Sequence, residues 1–283
     1  MISHGVVYIA FGDFYFFQML FSLKSMLNSN PGMSVHILTN SDKYVYLLEE
    51  YSSVTYTYFA VPSSCNREYK TKLYVYSPFD QTLHIDVDTF ISGSLTPIFN
   101  LLKINDFVIR TEATPISDTY REDNPEESSR LILNYGEFNT GVFGFNKSSN
   151  SAISLLDEWT RLKSSSKSPR DQRLFIKALE RNMHVKLWPL SPNFNYTKYD
   201  SLVHKGTNAI KTPVIWHYMD YAYCIAAWRF VSRAVFTVDK SIILRNKKYF
   251  FKNFILSILF RFVPLFRPSY VFFAKVYQFL RKF

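Results

Sequence analysis

Residues 81–95 read "QTLHIDVDTFISGSL", an apolar run that ends in Asp86 and Asp88 just ahead of a Ser-Gly-Ser turn. In a strand, residues two apart share a face, so the two carboxylates are expected side by side where a buried strand stops. Carboxylates that close repel. The arrangement is tolerable if the strand end is solvated, if one group is protonated, or if a divalent cation neutralises both. Hard oxygen ligands suit Mg²⁺ or Mn²⁺, which complete their shells with phosphate oxygens. A solvated turn would favour Asp as well.

The surrounding pattern decides the fold class. "GVVYIAF" is a short apolar run bounded by Gly12-Asp13, after which Phe16, Leu20, Leu23 and Leu27 recur at helical spacing until "NPG". "MSVHILTN" reads as a second strand, "KYVYLLEEY" as a short helix and "VTYTYFAV" as a third strand. "REYKTKLYVY" reads as one helix ended by Pro78, "QTLHIDV" as the fourth strand, and Thr96-Pro97 as a helix start. Residues 111–137 are polar and aperiodic and are expected to form a loop with at most one short helix, the kind of segment that serves as a lid or substrate-binding loop. "FNTGVFGFN" (138–146) reads as a strand, "SAISLLDEWTRL" and "RLFIKALERN" as helices, and "VIWHY" (214–218) as a last strand. Strand and helix alternate, which implies an α/β fold with a mostly parallel sheet flanked by helices. Ligands of such sheets bind beyond the carboxyl ends of the strands, where Asp86 and Asp88 stand.

Composition narrows the class. The 283 residues are 47% hydrophobic, with 27 Phe, 20 Tyr and only 8 Gly, as in a globular chain with a large core. Two cysteines, Cys65 and Cys224, provide neither a disulfide framework nor a zinc cluster. The N-terminus runs at once into strand-like residues and lacks a signal-peptide pattern, so a reducing, cytoplasmic setting is expected and the sequons at Asn146 and Asn195 are read as chance. The net charge of +10 is localised: no acid follows Asp239, and the last 44 residues carry ten Lys and Arg, leaving 23 bases against 23 acids in the body.

Taken in order, "FGDFY", "TKLYVY", "HIDVDT", "FNTGVFGFN", "DQRLFIKAL", "LWPLSPNFNY" and "VIWHY" resemble the successive motifs of GT-A-fold nucleotide-sugar glycosyltransferases, specifically the retaining group with glycogenin and lipopolysaccharide galactosyltransferases. The resemblance spans residues 5 to about 220. It implies a Rossmann-like GT-A domain and transfer of a sugar, with retention, from a nucleotide diphosphate donor of the UDP-sugar type to a hydroxyl of a glycan or glycolipid. It places Mn²⁺ or Mg²⁺ on Asp86, Asp88 and His217, and the donor's base and ribose at Phe11, Gly12 and Tyr15, with Tyr15 stacked on the base. Lys72 would contact the sugar or diphosphate, and Asp86 the donor through the metal. Asn139, Asp171 and Gln172 would surround the reacting sugar. Asp171 also suits a helix N-terminus, where acidic side chains are favoured. After His217 the family continues into Gly and Lys-Pro-Trp, whereas this chain reads "HYMDYAYC". The diphosphate contact would then come from elsewhere, Lys205 or Arg229 being available.

The chain is thus expected to hold a catalytic domain over 1–240 and a basic amphipathic helical tail over 241–283. The tail interleaves Lys and Arg with Phe, Ile and Leu. Its longest uncharged stretch, Asn253 to Phe260, is far short of the roughly 20 residues that span a bilayer. It fits a segment lying on an anionic membrane surface, hence a peripheral membrane contact, or else a helical pair packed on the domain. Nucleic acid is not the expected partner, because the tail is more apolar than phosphate contacts require. Two other classes compete: a non-catalytic nucleotide-sugar binder, and an aspartate-dependent phosphatase, which would carry its motif on the first strand and Thr or Val where Phe90 stands.

Overall fold

The computed structural model describes residues 3–111, 138–166, 171–197, 200 and 213–217. The chain divides into two units, Met1–Tyr218 and Met219–Phe283. The second unit lies outside the described residues, as do the boundary at 240, the tail, Lys205, Arg229 and the loop expected over most of 111–137.

Strands β1 (His4–Ala10), β2 (Val35–Thr39), β3 (Val54–Tyr58), β4 (Gln81–Ile85), β6 (Phe107–Thr111), β7 (Phe138–Asn146) and β8 (Leu187–Pro189) form one sheet in the order β3-β2-β1-β4-β7-β6-β8. The pairs β1–β2, β2–β3, β1–β4 and β6–β8 are parallel. Only β7 runs against its neighbours β4 and β6. This reversal brings the first residues of β7 to the carboxyl end of β4, Val142 standing opposite Ile85. A second, two-stranded sheet pairs β5 (Thr89–Ile91) with β9 (Ile215–His217).

Helices cover both faces, as the alternation of β1 requires. On one face Tyr8 bonds Ser22 of α1 (Asp13–Ser29) at 2.9 Å. On the other, Val7, Ile9 and Phe11 join a core with α5 (Asn150–Ser165) and α6 (Gln172–Glu180). The remaining helices are α2 (Asn66–Thr71), α3 (Leu73–Tyr76) and α4 (Thr96–Leu102). Among the described side chains of α1 the fully buried apolar ones are Phe16, Met19, Leu23 and Met26, so the buried stripe lies slightly to one side of the one read from the leucines. Aromatic rings fill the α5–α6 side: Phe107 stacks on Phe143 at 5.5 Å, and Trp159 meets Phe175 edge-on at 5.2 Å.

Three expectations shift in detail. The helix expected over "REYKTKLYVY" is divided at Lys72, where φ −94° and ψ 12° interrupt α2 and α3. Strand β4 stops at Ile85, so Asp86–Asp88 lie in a turn and not on the strand. "KYVYLLEEY" takes a 3₁₀ conformation over Asp42–Leu48.

Candidate active site

The D-x-D turn is fastened from three sides. Asp86 N–H donates to Gly141 O at 2.7 Å, continuing the β4–β7 ladder past the strand end. Thr89 Oγ1 donates to Asp86 O at 2.8 Å and lies 2.7 Å from Ser22 Oγ, which in turn meets Tyr8, so a buried hydroxyl chain braces the turn from beneath. Because β5 starts one residue after Asp88 and pairs antiparallel with β9, Thr89 stands opposite His217. That pairing carries a histidine about 130 positions away in sequence to the carboxylates.

His217 Nε2 lies 3.4 Å from Asp88 Oδ1 and 3.7 Å from Asp86 Oδ2. One ligand atom from each of the three side chains falls within 4.8 Å of the others, the only such group of three among the described residues. The imidazole is buried, while the carboxylates are 28% and 32% exposed and so open to a ligand. The ring occupies space that Gly141 leaves free, since a Cβ there would stand 2.0 Å from His217 Cε1. Two carboxylate oxygens and one imidazole nitrogen are a donor set suited to a divalent cation such as Mn²⁺.

A lysine shares the site, and it is Lys70. Its Nζ stands 2.8 Å from Asp86 Oδ1 and 3.5 Å from Asp171 Oδ2, with the side chain 10% exposed. Burial would push the ammonium pKa down, but Asp86 and Asp171 outweigh it and raise it above the ordinary value. Asp86 is likewise opposed by burial, yet Lys70, His84 and His217 hold its pKa well below the usual carboxylate range. Lys72, the lysine read from the sequence, instead pairs with Glu68 at 2.6 Å. Two residues apart on a helical turn, the two lysines point to opposite sides.

Asp171 precedes α6 but makes no side-chain cap hydrogen bond. Its carboxylate accepts from Thr140 Oγ1 at 3.2 Å and faces Lys70, while its carbonyl accepts from the buried Trp159 Nε1 at 3.0 Å. Asp171 thus stands at the N-terminus of α6, where an acid is favoured, and at the same time faces Lys70. Gln172 opens α6 beside it. Asn139 is fully buried on β7, and its Oδ1 accepts from Gly141 N at 2.9 Å.

The turn after β1 lies at the same edge of the sheet. Gly12 has φ +98°, a region open to glycine, and a Cβ there would meet Ser63 Cβ at 2.9 Å. Asn40 accepts from Gly12 N at 2.6 Å, and Asn66 both accepts from Phe11 N at 3.0 Å and donates to Phe11 O at 3.1 Å. These two asparagines were not singled out from the sequence, and "LTN" and "CNR" carry no pattern that would mark them. The Phe11 side chain is core, edge-on to Tyr69 at 4.8 Å, so only its backbone faces the turn's surroundings. Tyr15 is 41% exposed.

Comparison with known proteins gives the family of the chain. Residues 6–222 match the glycosyl transferase family 8, and the chain belongs to that family. Its fold is that of solved GT-A glycosyltransferases. Mouse xyloside xylosyltransferase 1 aligns over 76% of this chain and 97% of its own with a TM-score of 0.53 and 14% identity. The galactosyltransferase LgtC, solved with donor and acceptor sugar analogs, aligns over 81% and 94% with a TM-score of 0.55 and 16% identity. The bifunctional glycosyltransferase WbbM aligns over 77% of this chain and 46% of its own with a TM-score of 0.56 and 16% identity. No sequence among curated proteins matches. The chain is a glycosyltransferase, and the phosphatase reading falls with the family match.

Proposed function

We propose that this glycosyltransferase moves a hexosyl group, with retention, from a UDP-sugar to a hydroxyl of a glycan or glycolipid and depends on Mn²⁺ or Mg²⁺. The observation that carries the reading is the convergence of Asp86, Asp88 and His217 at the carboxyl end of β4 in a family 8 chain. These three residues would hold the cation, which when bound supplies Lewis-acid neutralisation of the departing diphosphate. LgtC, of the same fold, is known with donor and acceptor sugar analogs in place.

Each neighbouring side chain then has a task. Tyr15 offers an exposed ring to the base, and Gly12 lets the backbone of the turn approach the ribose. Lys70 holds a positive charge beside Asp86, where negative charge develops as the glycosidic bond to the diphosphate breaks. Asp171, fixed by Thr140, Lys70 and the Trp159 contact, is assigned to the reacting sugar together with Gln172, while the fully buried Asn139 holds the Gly141 backbone behind them. Anchoring is thus assigned to the β1 turn and the carboxylates, and chemistry to the β7–α6 side.

The tail, 241–283, is proposed to lie on an anionic bilayer, which would make the enzyme a peripheral membrane protein acting on a lipid-linked or membrane-associated acceptor. Its charge supports this. No helix among the described residues is long and apolar enough to cross a membrane. The test of donor class is hydrolysis of a panel of nucleotide sugars with and without Mn²⁺. Hydrolysis of one or more UDP-sugars only when the cation is present is expected, and metal-independent turnover would overturn the assignment.

A further inference from the structure

The ring nitrogen of His217 that faces away from the carboxylates, Nδ1, lies 2.7 Å from Asn195 Oδ1. A neutral imidazole carries one proton, and which nitrogen keeps it is set by the partner of the other. An amide oxygen at Nδ1 accepts a hydrogen bond, so the proton stays on Nδ1 and the Nε2 lone pair is turned toward Asp86 and Asp88. The opposite amide orientation would donate to Nδ1, move the proton to Nε2 and close that nitrogen to a cation.

Asn195 is fully buried, yet its Nδ2 has no hydrogen-bond partner among the described residues. Leaving a buried amide donor unmatched is costly, so the residue is held for its oxygen alone. Its backbone is also fixed. Asn195 O accepts from Arg110, whose guanidinium pairs with Asp200, and both of these charged side chains are buried. Asp200 Oδ2 accepts from Thr197 N at 2.7 Å and from Thr197 Oγ1 at 2.8 Å. Tyr196 N donates to Ile215 O at 2.8 Å, and His217 N to Tyr196 O at 2.7 Å. A buried ion pair gains little net stability by itself. Here it clamps the segment that delivers the Asn195 amide to the histidine.

We propose that Asn195, backed by the Arg110–Asp200 pair, is the positioning residue of His217, fixing the ring's tautomer and direction for metal ligation. The inference rests on the metal-site reading above. It also accounts for Asn195 as a buried functional amide and not a glycan acceptor, although it heads the sequon Asn195-Tyr196-Thr197.

The test uses the full chain and reads Mn²⁺ affinity by electron paramagnetic resonance of free Mn²⁺, together with ¹⁵N NMR of His217 in the Mg²⁺-loaded protein. Asn195→Asp keeps an oxygen at Nδ1 and removes the orphaned donor, so its Mn²⁺ affinity should stay close to wild type. Asn195→Leu should weaken Mn²⁺ by about 10- to 100-fold with an unchanged circular dichroism spectrum. Wild-type His217 should carry its proton on Nδ1. Equal losses in the Asp and Leu variants, no loss in the Leu variant, or a proton on Nε2 would overturn the inference while leaving the metal site standing. Absence of saturable Mn²⁺ binding in the wild type would overturn both. Should Asn195→Leu fail to fold, Asn195→Asp and the wild-type tautomer still decide.

Discussion

Gly141 leaves open the space that the His217 imidazole fills, a Cβ at that position standing 2.0 Å from His217 Cε1 and 2.8 Å from both ring nitrogens. Gly141→Ala should therefore displace the ring and weaken Mn²⁺ binding by about tenfold or more, alongside an overpacking cost of about 1–3 kcal/mol. Gly144→Ala is the control. Its Cβ would meet Leu102 Cδ1 at 2.9 Å and Thr82 O at 3.2 Å, so it should lose stability without losing metal affinity. Metal titrations and thermal melts of the two variants check this.

Lys70 and Lys72 should behave differently although they are two residues apart. Lys70→Met leaves Asp86 without its closest cation, so turnover should fall by more than about tenfold. The metal-free protein should melt lower, and Mn²⁺ should restore part of the loss. Lys72→Met removes only a half-exposed pair with Glu68, worth about 0–1 kcal/mol, and activity should be kept. Steady-state kinetics with both variants distinguish them, and equal losses would return the donor contact to Lys72.

Asp171→Asn and Gln172→Ala should leave nucleotide affinity nearly unchanged and lower turnover by about a hundredfold, since the two residues are assigned to the reacting sugar and not to the anchor. UDP titration beside donor turnover reads the two effects separately. Parallel losses in both would show that the pair anchors the donor.

How much of this was legible in the sequence depended on what kind of signal each residue carries. Strands β1 to β4 and α1 follow apolar runs and helical spacing, which burial dictates directly. Strand β6 did not stand out, because "FVIRT" carries Arg110 in mid-run, and the partners that make an arginine acceptable there, Asp200 and the Asn195 carbonyl, are distant in sequence. Strands β5 and β8 are three residues long, and β8 ends in Pro189, so neither shows a period. The aspartates and His217 were marked by motif order. Lys70 was passed over for its neighbour because the choice depends on which face of α2 packs toward Asp86 and Asp171, which no residue type announces. Gly141, Asn40, Asn66 and Asn195 act through contacts with segments remote in sequence, and nothing local reveals such contacts.

Truncation after Lys240 should abolish binding to anionic liposomes, binding that in the full chain weakens as salt rises. Each basic side chain near such a surface contributes about 1 kcal/mol, and ten of them lie in residues 240–283. Activity on a lipid-linked acceptor should drop far more than on a soluble one, because attachment concentrates both reactants. Sedimentation with vesicles and paired acceptor assays read the two effects. An insoluble or unfolded truncated protein would show that the tail is part of the folded domain.

The central claim, a cation held by Asp86, Asp88 and His217 that binds the donor's diphosphate, is met most directly by calorimetric titration of UDP into wild-type protein and Asp88→Asn, each with and without Mn²⁺. Saturable binding that needs Mn²⁺ in the wild type, weakened by about tenfold or more in Asp88→Asn with the fold intact, is the predicted result. UDP binding of equal strength without the metal, or an Asp88→Asn variant that binds as the wild type does, would contradict it.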